Sequence, residues 1–150
     1  MKTYFLSLLL IIILSSVSYS QEMRISRKQV PAAVINAFKI AYPKAKIKGT
    51  NIETKEGIAY YEIESKDGKT SRDVLYTKDG TVSEIEEIIS TDQLPQPIMD
   101  ALTKNHSNGK IKSIEKNIQG TVTTYEVILL SGKKKTELVF STDGNIINNK

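Results

Sequence analysis

The sequence predicts an α+β fold made of a tandem of two repeats, each one helix followed by a four-stranded antiparallel sheet. The first observation behind this prediction is an internal repeat, because Val30-Pro31 and the apolar residues after it return 64 residues later from Leu94-Pro95 onward. The second is the alternation of apolar and polar residues that follows each of these segments. The third is the recurrence of glycine turns between the alternating stretches. Each repeat therefore corresponds to one supersecondary unit.

The first twenty residues predict a cleavable signal peptide. Lys2 precedes an apolar run from Tyr4 to Leu14, and serines occupy the third and first positions before Gln21, where signal peptidase requires small residues. A membrane anchor would need about 20 apolar residues, and this run has roughly half that number. The expected organisation is a signal peptide at 1–20, a first repeat at 21–90 and a second repeat at 91–150. Because a half of about 60 residues is marginally stable alone, we expect the two halves to share a sheet or to pack tightly.

Each repeat begins with a segment that predicts an amphipathic helix. Apolar residues recur at positions i, i+4, i+7, i+8 and i+11 starting from Val30, and the second repeat matches the first four of these starting from Leu94. The proline that follows each of these residues suits the first helical turn, where an amide has no partner. Pro43 and Asn108-Gly109 end the helices. Each helix is only about three turns long, so its apolar stripe must pack on the strands that follow.

Four strands are expected after each helix, separated by turns that contain glycine. Asp-Gly between alternating apolar residues is a strong hairpin signal, because glycine accepts the positive φ of tight turns. In the first repeat the predicted strands are Lys46–Glu53, Ile58–Glu64, Ser71–Thr77 and Thr81–Ile88. In the second repeat they are Ile111–Lys116, Thr121–Leu130, Lys135–Ser141 and Asn145–Asn148.

The alternation divides the strand residues between two faces of the sheet. The face toward the helices is predicted to carry Ala59, Tyr61, Ile63, Val74 and Tyr76 and their counterparts Thr123, Tyr125, Val127, Leu138 and Phe140. A second apolar set falls on the opposite face, which antiparallel sheets commonly leave in water. Its members are Tyr60, Leu75, Ile128, Leu130 and Val139. Contact between the repeats and a partner-binding surface both account for this set, since exposed apolar patches usually mark interactions.

The composition narrows the class of protein. The formal net charge of +4 is small, decreases by one if Lys2 leaves with the signal peptide, and is spread along the chain, which argues against a nucleic-acid partner. The chain has no cysteine, so an exported form has neither disulfides nor a lipid-attachment cysteine and relies on its core. We expect a soluble periplasmic or secreted protein with no stable membrane insertion after signal cleavage.

The order of these segments resembles a known family. A signal peptide precedes two copies of a Val/Leu-Pro helix, a Lys-Ile-Lys strand, a Tyr-Glu-Ile/Val strand and an Asp-Gly hairpin. The recurring motifs are Lys46-Ile47-Lys48 and Lys110-Ile111-Lys112, Tyr61-Glu62-Ile63 and Tyr125-Glu126-Val127, and Asp79-Gly80 and Asp143-Gly144. They are similar to the PepSY-like, beta-lactamase-inhibitor-protein-like family of exported bacterial proteins, over nearly all of residues 28–150. The resemblance implies a helix packed on a four-stranded antiparallel sheet in each repeat and a binding or inhibitory role.

No residue cluster predicts catalysis, a cofactor or a metal site. His106 is the only histidine and corresponds to Tyr42 at the end of the first helix, so packing or surface exposure explains it better than nucleophilic or metal chemistry. Three aspartates precede glycine and are interpreted as turn residues: Asp67, Asp79 and Asp143.

Two charged runs also have ordinary explanations. The acidic run Glu84–Glu87 could do acid–base work in a pocket, but its pattern favours a solvated strand face that guards a sheet edge. Lys133-Lys134-Lys135 could meet an anionic surface, but three lysines in a hairpin are typical of a solvated turn.

Two functions are left open by the sequence. The first is a non-enzymatic binding module, an inhibitor or adaptor that holds another protein on the sheet face through the second apolar set. The alternative is a periplasmic sensor that binds a small ligand or an ion with the acidic strand around Glu84–Glu87 and a groove between the repeats. An enzyme would need a polar cluster that breaks the repeat, and the sequence has none.

Overall fold

Nine antiparallel strands form one continuous sheet, and their order in the sheet is the same as their order in the chain. This computed structural model describes residues 21–106 and 108–149, so the predicted signal peptide lies outside the described residues. The strands are β1 Gln21–Arg24, β2 Lys46–Lys55, β3 Ile58–Asp67, β4 Thr70–Tyr76, β5 Val82–Ile89, β6 Lys110–Gln119, β7 Val122–Ser131, β8 Lys134–Ser141 and β9 Ile146–Asn149. The helices are α1 Ala32–Ala41 and α2 Gln96–Asn105.

The predicted tandem of two helix-plus-four-strand units is wrong. Strand β5 pairs with β6 from Glu84 opposite Gln119 to Ile89 opposite Ile114, so both halves of the chain contribute to a single sheet. Strand β1, which no apolar alternation indicates, pairs with β2 and makes the ninth strand. The physical reason for the fusion is that a half of about 60 residues buries too little surface alone. Pairing β5 with β6 also satisfies the backbone of two strands that would otherwise be edges.

Both helices lie on the same face of the sheet, and the core lies between them and the strands. Val34 and Phe38 of α1 are buried over one half, and Ile98 and Leu102 of α2 are buried over the other. The predicted core is confirmed for the buried residues Ile63, Val74, Tyr76, Tyr125, Val127, Leu138 and Phe140. Tyr61 packs against this core while partly exposed, whereas Ala59 is exposed.

A short 3-10 turn, which the sequence did not predict, precedes each helix. The two turns are Arg27–Gln29 and Thr91–Gln93. In the first, the Ser26 N–H donates to Gln29 Oε1 at 2.9 Å, and in the second the Ser90 N–H donates to Gln93 Oε1 at 3.0 Å. The signal for both was available as a Ser-x-x-Gln capping pattern that recurs at the repeat spacing.

The Asp-Gly hairpins lie against the first turns of the helices. Gly80 has a φ of +89°, and a Cβ built there would lie 2.9 Å from the Ala33 carbonyl oxygen. Gly144 has a φ of +85°, and its Cβ would lie 2.6 Å from the Pro97 carbonyl oxygen. Asp79 Oδ1 accepts hydrogen bonds from Thr77 Oγ1 and the Thr81 N–H, which confirms its predicted role in the turn. These two hairpins therefore need glycine both for the backbone conformation and for the close approach to a helix.

Candidate functional site

No described helix covers the face of the sheet opposite α1 and α2, which is called the open face below. The strand pairing assigns its side chains, because residues directly opposite each other share a face and successive residues alternate. Glu62 on β3 is opposite Leu75 on β4, and Leu75 is opposite Glu84 on β5. Farther along the sheet, Glu126 on β7 is opposite Val139 on β8. The open face therefore crosses the junction between the two halves without a break.

All five residues of the second apolar set lie on the open face, but the structure separates them into two groups. Tyr60 and Leu75 lie on β3 and β4, whereas Ile128, Leu130 and Val139 lie on β7 and β8. Leu75 is only 2% exposed, although it belongs to the face that no helix covers. The other four are partly exposed. Leu75 is thus a buried support of this face, and its four companions are accessible.

The two halves of the chain do not pack through these apolar residues. They join edge to edge through the pairing of β5 with β6, which leaves the open face on the outside of the described fold. Contact between the repeats therefore does not account for the second apolar set. Ile88 on β5 adds a further apolar side chain to this face, where it is 47% exposed opposite Glu115.

Between the two apolar groups the open face is strongly acidic, a feature that the sequence analysis missed. Glu64, Asp73 and Glu86 lie directly opposite one another on β3, β4 and β5, and Glu115 lies opposite Glu126 on β6 and β7. The term acidic band is used here for the carboxylates of the open face on β3 to β7. Its members are Glu62, Glu64, Asp73, Glu84, Glu86, Glu115 and Glu126. Like charges on directly opposed residues destabilise a sheet, so we expect other interactions to compensate for the repulsion within these rows.

Some members of the acidic band are neutralised. Arg24 Nη1 lies 2.6 Å from Glu64 Oε1, and Lys55 Nζ lies 2.7 Å from Glu84 Oε2. Two amides contribute hydrogen bonds: Asn51 Nδ2 donates to Glu62 at 2.5 Å and to Glu64 at 2.9 Å, and Asn117 Nδ2 donates to Glu84 at 2.7 Å.

The centre of the acidic band has no salt bridge among the described residues, and Asn117 Nδ2 donates one long hydrogen bond to Glu86 at 3.5 Å. In the described part of the chain, no lysine or arginine forms a salt bridge with Asp73, Glu86 or Glu115. Burial raises the pKa of Asp73, and the charge of Glu64 adds to this effect. Burial also raises the pKa of Glu115, with a further contribution from Glu126. For Glu86, burial and the nearby charges of Glu115 and Glu84 raise the pKa to about 7.

Glu84 differs from its neighbours in the acidic band. Although burial opposes ionisation, the hydrogen bonds from Lys55 and Asn117 and the charge of Lys55 hold the pKa of Glu84 below its ordinary value. The acidic run Glu84–Glu87 is divided between the two faces, because Glu87 Oε1 accepts from Arg72 Nε at 2.5 Å on the helix side. Strand β5 also lies inside the sheet, so the expected solvated strand that guards an edge is not what the structure contains.

Replacing Glu86 by glutamine is expected to change the pH dependence of stability. The unfolded carboxyl ionises above about pH 4.5 while the folded one stays protonated to about pH 7, so its contribution to stability falls across that interval and stays lower above it. Glutamine imitates the protonated form and removes this loss. At pH 8 we expect Glu86→Gln to raise the free energy of unfolding by about 1 kcal/mol, a value reduced by solvent screening, with little change at pH 4.

Urea unfolding of the wild type and of Glu86→Gln at both pH values measures this difference. Glu56→Gln is the matched control, because Glu56 is an exposed turn residue outside the open face. An equal effect of Glu86→Gln at pH 4 and pH 8 would contradict the prediction.

Three carboxylates at one end of the acidic band are close enough to share a cation. One carboxylate oxygen each of Glu22, Glu62 and Glu64 lies within 4.8 Å of the others. The Asn51 amide lies beside them, and its buried Oδ1 has no hydrogen-bond partner in the described residues. Carboxylate and amide oxygens are the ligands that calcium accepts, while Arg24 already neutralises Glu64 from the same side. Local sequence patterns do not predict this group, because Glu22 lies on β1 whereas Glu62 and Glu64 lie on β3.

The remaining candidates from the sequence are a histidine and three lysines. His106 is the residue that ends α2, and its backbone N–H donates to the Leu102 carbonyl oxygen at 2.8 Å, in agreement with the predicted helix-end position. All three lysines are exposed: Lys133 precedes β8, Lys134 begins β8, and Lys135 lies on the open face opposite Leu130. Among residues 21–106 and 108–149, no helix has the length and apolar character needed to span a bilayer.

Comparisons with known proteins agree with this architecture. A family model described as "Putative beta-lactamase-inhibitor-like, PepSY-like" matches residues 17–84 and 59–148. No curated protein matches the chain.

Solved structures from Bacteroides have a similar fold. A BLIP-like protein from Bacteroides fragilis NCTC 9343 shares 22% identity at a TM-score of 0.63, over 80% of this chain and 85% of that one. A DUF2874 family protein from Bacteroides uniformis ATCC 8492 shares 19% identity at a TM-score of 0.66, over 80% and 88%. A protein from Bacteroides eggerthii DSM 20697 described as periplasmic shares 17% identity at a TM-score of 0.68, over 81% and 88%. That description agrees with the expected location.

Proposed function

Because this chain belongs to the PepSY-like, beta-lactamase-inhibitor-like family, we propose that it is an exported, non-enzymatic binding module that holds another protein on its open face. The module acts as an inhibitor or adaptor in the periplasm or outside the cell. The observation that carries the proposal is a sheet face with no described covering element that nevertheless displays partly exposed apolar side chains. Such patches on a water-facing surface usually mark protein interfaces.

The apolar contacts are concentrated toward the β8 side of the open face. Ile128 is opposite Glu137, Val139 is opposite Glu126, and Leu130 follows two residues after Ile128 on the same face. Ile88 extends this group toward the middle of the sheet. Tyr60 supplies an aromatic side chain at the other end, and aromatic residues are enriched among the side chains that dominate binding energy. A partner lying across the strands would contact both groups.

Replacing Ile128 and Val139 by serine is expected to weaken binding of the partner strongly. The chain without residues 1–20 is immobilised and exposed to envelope extract and culture fluid of the source organism, and the captured protein is identified, purified and bound again at known concentration. We expect one-to-one binding by the wild type and binding at least ten times weaker by Ile128→Ser/Val139→Ser, because the variant removes two apolar contacts from the β8 side of the interface.

Ile40→Ser is the matched control. Ile40 is 82% exposed on α1, on the other side of the sheet, so its replacement removes exposed apolar surface and leaves the open face intact. Circular dichroism and melting curves establish that all variants are folded. Equal capture by the wild type and by the folded double variant would contradict the proposal.

The alternative, a sensor of a small ligand or ion, is favoured by the convergence of Glu22, Glu62 and Glu64 beside Asn51. Thermal melting in the presence of calcium discriminates the two functions, since a ligand that binds the folded state raises the melting temperature. A rise that Glu62→Gln removes, together with no captured protein, would favour the sensor.

A further inference from the structure

We propose that the partner presents a basic segment to the acidic band, with lysine or arginine side chains between apolar ones. This inference rests on the proposed function, because it specifies which kind of protein the open face accepts. The distribution of side chains on the open face carries it: Tyr60 lies on β3, the carboxylates extend from β3 to β7, and Ile128 and Val139 lie on β7 and β8. A complementary segment is therefore apolar at both ends and cationic between them.

The charge of the acidic band is local and opposite in sign to that of the whole chain. The protein carries a formal net charge of +4, yet the open face gathers carboxylates from five adjacent strands. Arg24 and Lys55 form salt bridges with Glu64 and Glu84, whereas Asp73, Glu86 and Glu115 at the centre have no salt bridge among the described residues. A cationic partner would remove the repulsion at this centre, which gives charge complementarity to one class of partner.

The dimensions of the acidic band suit an extended peptide segment. Strands β3 to β7 are four spacings apart, and at about 4.8 Å each they cover roughly 19 Å. An extended chain advances about 3.3 Å per residue, so about six residues cross the band. With alternating side chains, three of these residues point at the carboxylates. Nucleic acids and anionic lipid surfaces carry the wrong charge for this site.

The partly buried state of these carboxylates strengthens the argument. Asp73, Glu86 and Glu115 are all partly exposed rather than fully solvated, and burial raises the pKa of each. Their attraction for a cation is consequently less screened than that of carboxylates on a fully exposed surface. The neighbouring side chains of Leu75, which is buried, and Ile88, which is exposed, add apolar surface to the acidic band.

A synthetic nonapeptide tests the inference directly. The peptide has a pair of valines at each end, and three alternate positions between these pairs are lysine. A second peptide has glutamate in place of each lysine. By titration calorimetry at low ionic strength, we expect the lysine peptide to bind the wild type with one-to-one saturation and the glutamate peptide not to bind. At pH 8, where Glu86 is mostly ionised, Asp73→Asn/Glu86→Gln should weaken binding of the lysine peptide at least tenfold, because it removes two carboxylate charges from the centre of the acidic band.

The control variant is Glu56→Gln/Asp100→Asn, which makes the same two chemical changes at exposed positions outside the open face and should leave binding unchanged. Equal affinity of the wild type and Asp73→Asn/Glu86→Gln for the lysine peptide would overturn the inference, as would no binding to the wild type. The captured protein separates the two proposals. If its binding is lost in Ile128→Ser/Val139→Ser but unchanged in Asp73→Asn/Glu86→Gln, the proposed function stands and the basic partner fails; if neither variant affects it, the proposed function fails.

Discussion

Replacing Phe38 by alanine is expected to lower the free energy of unfolding by about 3–5 kcal/mol, the range typical of large-to-small changes at buried aromatic positions. Phe38 is 1% exposed between α1 and the sheet, and its ring lies 5.3 Å from that of Tyr42. Its loss leaves a cavity and removes the aromatic pair. Because α1 is only ten residues long and depends on this packing, the helix loses its main attachment to the strands.

Urea unfolding followed by circular dichroism measures this loss. Ile40→Ala on the same helix is the control, since Ile40 is 82% exposed and surface changes usually stay within about 0.5 kcal/mol. If Phe38→Ala cost less than about 1 kcal/mol, α1 would not be held by this side chain and the described core would be wrong.

Leu75→Ala is expected to cost about 2–5 kcal/mol even though Leu75 belongs to the open face. Its 2% exposure places it under the side chains around it, among them Glu62 and Glu84 directly across the strands. Truncation therefore creates a cavity below the acidic band. Ile128→Ala, at a partly exposed position of the same face, should cost less because part of that side chain is already in water.

Leu75→Ala and Ile128→Ala should differ in their effect on binding of the partner. At a temperature where Leu75→Ala is still folded, we expect it to capture the partner nearly as well as the wild type, whereas Ile128→Ala weakens capture with little loss of stability. Urea unfolding and binding measured on the same samples test this. A stable Leu75→Ala variant that fails to capture the partner would show that Leu75 contacts the partner directly.

Local patterns in the sequence were enough to predict most strands and the helix-facing core. Alternation with a period of two identifies which residues share a face, and Ile63, Val74, Val127 and Leu138 were correctly placed on the helix side for that reason. The short strand β1 has no such alternation in Gln-Glu-Met-Arg, so only its pairing with β2 reveals it.

The joining of the two halves could not be predicted in the same way. Whether β5 and β6 are edges or neighbours depends on backbone hydrogen bonds between strands, and periodicity within each strand is the same in both cases. The internal repeat indicates two similar four-stranded sheets, and the small size of each half indicates that they share a sheet or pack tightly, but neither observation selects the single sheet that the structure has. This difference also removed one explanation of the second apolar set, since an edge-to-edge junction leaves both sheet faces free.

The acidic band also could not be predicted from local patterns in the sequence. Asp73, Glu86 and Glu115 are far apart in the chain, and only the strand register places Glu64 opposite Asp73 and Asp73 opposite Glu86. In addition, a charged residue in a strand predicts a solvent-exposed side chain, so the run Glu84–Glu87 indicates a solvated strand face when only the sequence is considered. The burial of Leu75 likewise depends on the side chains of neighbouring strands rather than on its own segment.

The strands follow one another in the sheet in the same order as in the chain, and this order affects how the fold responds to a pulling force. Strands β1 and β9 lie at opposite edges of the sheet and are not paired with each other. A force that pulls these two strands apart therefore acts perpendicular to the strand direction instead of parallel to it. Bonds loaded in this direction open one after another instead of together. The protein should therefore peel apart strand by strand at low force, beginning with the four-residue strands at its edges.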